Sequence, residues 1–129
     1  LPGWGFAART WEDKAAIGAH ADELGVAVAL PQMNTTIYAQ AFTPQTHADK
    51  KWCGARCAIA GSPWVGQVVL PYLAADIGPI KGLFGLSTGG RGAVLMLQHY
   101  PGLGIARACS MSGTFDLFSL APFSCRWCH

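Results

Sequence analysis

The junction at residues 80–92 constrains this chain more than any other stretch. A run from Ile80 to Phe84, apolar but for Lys81 and Gly82, leads straight into Gly85-Leu86-Ser87-Thr88-Gly89, and a helical run from Thr88 to His99 leaves it. Passing from strand to helix in so few residues requires a sharp turn, in which side chains two before and two after the serine would strike neighbouring backbone. Glycine at 85 and 89 removes that collision, and Gly90 and Gly92 let the helix approach the sheet closely. The turn lifts Ser87, exposes its Oγ and sets a helix N-terminus beneath it. The Thr88 N–H then faces any negative charge that develops there. Alone, the pentapeptide is also what a chance Gly/Ser turn looks like in a chain with 16 glycines. The strand before it and the helix after it favour a raised, nucleophilic serine.

The rest of the chain supplies further elements of the same kind. Thr10-Trp11-Glu12-Asp13 has the form of a capping box opening a helix that runs to Leu24 and stops at Gly25. Val26 to Leu30 is a short apolar run suited to a buried parallel strand, ended by Pro31. Residues 32–61 show no sustained period. Ser62-Pro63 offers an N-cap and a first-turn proline to a helix carrying Val65, Val68, Val69, Tyr72 and Leu73, which Pro71 should kink. Gly78-Pro79 and Pro101-Gly102 are turns, and Ile105 to Met111 is a third strand. Strands separated by helices predict parallel pairing through crossover connections, hence an α/β fold with a mainly parallel sheet flanked by helices.

Composition narrows the function classes. The 129 residues fit a single domain spanning 1–129, and 51% apolar with 12% charged residues is enough to build a core. A formal charge of +2 without any Lys/Arg run argues against nucleic acid or an anionic membrane surface as partner. The longest apolar runs fall far short of the ~20 residues of a membrane helix, and no stretch has a signal-peptide pattern. A first residue Leu1, not Met, reads as a processed product or a piece of a longer chain.

A serine hydroxyl attacks acyl carbons only with help: a base to take its proton and donors to hold the oxyanion. Leu1-Pro2-Gly3-Trp4-Gly5-Phe6, ahead of the first helix, is placed where such folds put the second oxyanion donor, and the Trp4 N–H is the candidate; an ordinary Gly-rich turn is the alternative. Together with Pro31 to Tyr38, Gly85 to Arg91 and Ser110 to Asp116, this segment resembles the esterase D-type family of the α/β-hydrolase superfamily, over nearly everything up to about Pro122. The resemblance implies a partial, truncated α/β-hydrolase domain and hydrolysis of carboxylic esters through an acyl-enzyme, without metal or cofactor. Pro2 stands where that family commonly has histidine, and the family continues past this chain's end into the strands that carry its catalytic acid and base.

The superfamily order is serine, acid, histidine, and after Ser87 only Asp116 followed by His129 fits it. Asp116 as a simple turn cap is the alternative. His99 lies twelve residues along the helix from Ser87, roughly 18 Å away. His20 is expected to be solvated, and His47, in the long loop, is the reserve base. The low charge and the loop residues Ala39, Ala41, Phe42 and Trp52 point to small, uncharged acyl esters as substrates.

Two competing readings come from the five cysteines. Cys125-Arg126-Trp127-Cys128-His129 matches the C-x-x-C-H haem-attachment pattern, and Cys53, Cys57, Cys125 and Cys128 together could form a thiolate zinc site. A third reading is a non-catalytic interaction module that keeps the serine turn without a competent base. Finally, the strand that precedes the oxyanion loop in such folds is reduced to Leu1 and Pro2, lying between the runs Val26–Leu30 and Ile80–Phe84. That gap predicts a homo-oligomer, direct pairing of the two flanking strands, or membership of a longer chain.

Overall fold

The computed structural model describes residues 1–33, 36–40 and 60–115. Among these, the strand–helix–strand order of the second half is as expected, the strand expected at 26–30 is not formed, and several boundaries move. The elements are α1 (Thr10–Ala15), α2 (Ile17–Leu24), α3 (Gly61–Pro63), a π-helical turn (Trp64–Val69), α4 (Leu70–Ile77), β1 (Gly82–Leu86), α5 (Thr88–His99), a 3₁₀ turn (Pro101–Leu103) and β2 (Arg107–Met111).

The strands form a parallel pair in which Gly82 faces Arg107 and Leu86 faces Met111. A parallel pair needs a crossover, and α5 provides it. Gly85 and Ser110 point toward α5, because a Cβ on Gly85 would overlap Gly89 and one on Gly90 would lie 2.6 Å from Ser110 Oγ. The alternate residue Phe84 points the other way, edge-on to Trp11 of α1 at 5.1 Å and 81°. The sheet therefore has helices on both faces. Its main core lies on the α5 side, where Ala93 and Met96 have no exposed surface and pack with Leu1, Met33, Tyr38, Val65, Leu70 and Ile105. Residues 89, 93 and 96 follow the helical period, so α5 buries one face and leaves Gln98 and His99 exposed.

The N-terminal helix departs from expectation at both ends. Thr10 is not its cap: Arg9 holds that position without a side-chain hydrogen bond, and Asp13 pairs with the Arg9 side chain at 3.3 Å instead of reaching back. The helix is also two helices, broken at Ala16 in the left-handed region (φ 44°). Glu12 compensates, accepting the Gly18 N–H at the start of α2 at 2.8 Å. Gly25 does end α2, at φ 62°, with Val26 N–H on Ala21 O and Gly25 N–H on Asp22 O. That is a Schellman closure.

Val26 to Leu30 is not a strand. Its residues are exposed or half-buried and find no ladder among the described residues. Direct pairing of Val26–Leu30 with β1 is therefore not seen, and Leu1 bonds to β1 instead: its amino group donates to Phe84 O, and Leu86 N–H donates to Leu1 O at 3.3 Å. Ser62 is not the cap of the next helix, which begins one residue earlier with Ala60 in extended backbone at its N-cap. Pro71 is absorbed rather than left to break the helix. The π turn at 64–69 widens the helix before it, and Pro71 falls in the first turn of α4, where its missing N–H is not needed. No helix among the described residues is long and apolar enough to cross a membrane.

Candidate functional site

Ser87 stands between β1 and α5 with φ 55° and ψ −124°, outside the helical and extended regions that side chains ordinarily occupy. The surroundings hold it there. Its N–H donates to Met111 O of β2 at 2.8 Å, and its carbonyl accepts Arg91 N–H at 3.2 Å. The two flanking glycines do what the sequence demanded of them. A Cβ on Gly85 would run into the backbone of Gly89 and Gly90, and one on Gly89 would run into the carbonyls of Leu1 and Pro2. Gly90 fits against the sheet as expected, whereas Gly92 makes room for the ring of Tyr38, 2.6 Å from where a Cβ would sit.

The Leu1–Phe6 segment lies beside the serine. A Cβ on Gly3 would be 3.2 Å from Ser87 Cβ and 3.0 Å from Leu86 O. Phe6 N–H closes a turn on Gly3 O at 3.2 Å, with Gly5 at φ 68°, so the backbone at Trp4 turns next to Ser87. Thr88 is the first residue of α5, and its N–H has no backbone acceptor among the described residues, as the end of a helix dictates. Its Oγ1 is buried with no hydrogen-bond partner among them. An anion placed over Ser87 would thus meet a helix N-terminus on one side and the Gly3–Gly5 turn on the other.

The described histidines stand elsewhere. His99 is exposed in the last turn of α5, at the end remote from Ser87, and exposed His20 lies in α2, 3.9 Å from Glu23. Asp116, His129 and His47 lie outside the described residues, as do Cys53, Cys57, Cys125 and Cys128 with the haem and zinc patterns they make. Cys109 is a free, exposed thiol on β2, and no group of three metal-ligating side chains occurs among the described residues.

Two residues that periodicity could not single out secure this region. Tyr38 is fully buried, and its hydroxyl donates to Pro2 O at 2.9 Å. Burial pushes that phenol above its usual value, so it stays a proton donor. Arg91, half-buried and with its guanidinium pushed down by desolvation, donates to Ile37 O. The one hint in the sequence was Gly92, a helical glycine that marks a close approach, expected from the sheet and made by the Tyr38 ring. No family model matches the chain, and neither a curated protein nor a solved structure matches it.

Proposed function

We propose that this chain is the nucleophile-bearing part of a serine carboxylic-ester hydrolase of the α/β-hydrolase type, acting on short-chain acyl esters. The observation that carries the reading is Ser87 in a strained strand–helix turn, with the Gly3 backbone against its side chain. Ser87 Oγ attacks the acyl carbon and its proton passes to a base. The carbonyl oxygen becomes an oxyanion received by the N–H groups of Thr88 and Trp4. Collapse expels the alcohol with a proton and leaves an acyl-serine, which water hydrolyses by the same steps. Asp116 and His129 are the proposed acid and base, with His47 in reserve. Such acyl transfer uses side chains and backbone alone.

The sheet supports a proposal about partners. Beyond Leu1, the outer edge of β1 has no strand neighbour among the described residues, and neither has the outer edge of β2. A second copy, or further strands of a longer chain, would satisfy those edges.

The test is hydrolysis of p-nitrophenyl acetate together with covalent labelling by a fluorophosphonate. Turnover with one label on Ser87 is expected. A folded protein that neither turns over nor takes the label has lost the enzyme reading and is an interaction module.

A further inference from the structure

We propose that Tyr38 is a positioning residue, a buried strut that fixes the Leu1–Phe6 loop against Ser87 and so sets the placement of the oxyanion donors; this rests on the esterase reading above. Three observations carry it.

The first is a closed circuit of contacts. Ser87 is the N-cap of α5, and one turn into that helix Gly92 leaves a hollow that the Tyr38 ring fills. From the far side of the ring the hydroxyl reaches Pro2 O at 2.9 Å, and the residue after Pro2 is Gly3, which lies against Ser87. The helix under the serine and the loop beside it are thus linked through one phenol.

The second is the effort spent on holding Tyr38 still. Its backbone is at φ 54°, a region that bulky side chains rarely adopt. It is pinned at each neighbouring residue: Arg91 donates to Ile37 O, Ser62 N–H donates to Ala39 O at 3.1 Å, and Tyr38 N–H donates to Thr36 Oγ1 at 3.0 Å. Strain retained by surrounding structure is characteristic of functional sites.

The third is the choice of acceptor. Pro2 has no N–H, so its residue can be fixed by hydrogen bonding only through its carbonyl. Tyr38 takes that one point of purchase. Helix α5 already crowds it from beneath, since a Cβ on Gly89 would overlap the Pro2 carbonyl.

The experiment compares wild type with Tyr38→Phe, which removes only the hydroxyl, and with Gly92→Ala, which pushes the ring while keeping the hydroxyl. Amide hydrogen exchange is followed in residues 3–6 and in α5, and p-nitrophenyl acetate kinetics are expressed per fluorophosphonate-titrated serine. Both variants should exchange roughly 10-fold faster or more in residues 3–6 with α5 still protected. They should lose roughly 10- to 100-fold in kcat with KM changed by less than about 2-fold. Unchanged exchange in residues 3–6, or equal acceleration in α5, overturns the proposal, the latter by making Tyr38 a core residue and nothing more. Should wild type neither label nor turn over, the esterase reading falls, and the exchange data still decide whether Tyr38 holds the loop.

Discussion

Leu1 and Gly85 sit opposite one another in parallel register. The Leu1 amino group donates to Phe84 O, and the Leu1 carbonyl accepts Leu86 N–H at 3.3 Å. That is the hydrogen-bond pattern of one residue of a third parallel strand. Because it places an amino group in a buried setting, desolvation pushes the Leu1 amine from its ordinary 8.0 down to about 6.

In a chain that begins at Leu1, stability should therefore depend on pH. The unfolded chain binds the proton more tightly, so the folded state is penalised below pH 6 and relieved as pH rises toward 8. The gain is of order 2 kcal/mol. Urea midpoints measured between pH 5.5 and 8.5 should rise across that window, and acetylating the Leu1 amine should flatten the slope.

Ser87→Ala should abolish ester hydrolysis, a loss of at least ~10⁴-fold in kcat, while the protein stays folded by circular dichroism. Ser87→Gly should be equally inactive but more stable by about 1 kcal/mol, because glycine relieves the turn's backbone strain. Wild-type-like turnover in either variant would remove Ser87 from the mechanism.

Glycine substitutions should separate by geometry. Gly85→Ala forces a methyl into the Gly89 backbone and should destabilise by ~3 kcal/mol or more. Gly102→Ala meets nothing within 4 Å and should change stability by no more than about 0.5 kcal/mol in either direction. Chemical denaturation of the two variants side by side checks the contrast.

The order of residues after Ser87 makes His129 the base to test. His129→Ala should lower kcat by several orders of magnitude, with Asp116→Asn close behind. Activity that survives removal of His129 moves the assignment to His47, for which His47→Ala is the follow-up.

The sheet edges that no described strand covers should make the isolated 129 residues associate. Sedimentation at micromolar concentration should show dimers or larger species, and Met111→Lys, adding charge at an exposed apolar position beside the β2 edge, should weaken them. A fully active, stable monomer would count against the proposed edge pairing.

What could be read from residues alone follows the range of the interactions involved. The bounds of α5, the stop at Gly25 and the crowding at Gly85 and Gly89 depend on contacts a few residues apart or on a local turn, and the residue types declared them. Val26–Leu30 has an apolar run fit for a strand, but a strand exists only through its neighbour, which the run cannot specify. The break at Ala16 was hidden because alanine signals helix, and the Glu12–Gly18 bond that offsets the break gives no sequence signature. Tyr38 and Pro2 are 36 residues apart with no period between them, so their bond was invisible; Gly92 marked a close approach, which the sequence alone assigned to the sheet and not to a ring.

The π turn at 64–69 has one more implication. Val65 and Leu70 are both buried in the same core, yet residues five apart on an α-helix point about 140° away from each other. The wide turn takes up the surplus residue and brings both onto one side. Residues 61–77 are thus two stretches of continuous helix out of phase by a single residue. The slip falls directly before the proline that an unbroken helix would have struggled to accept.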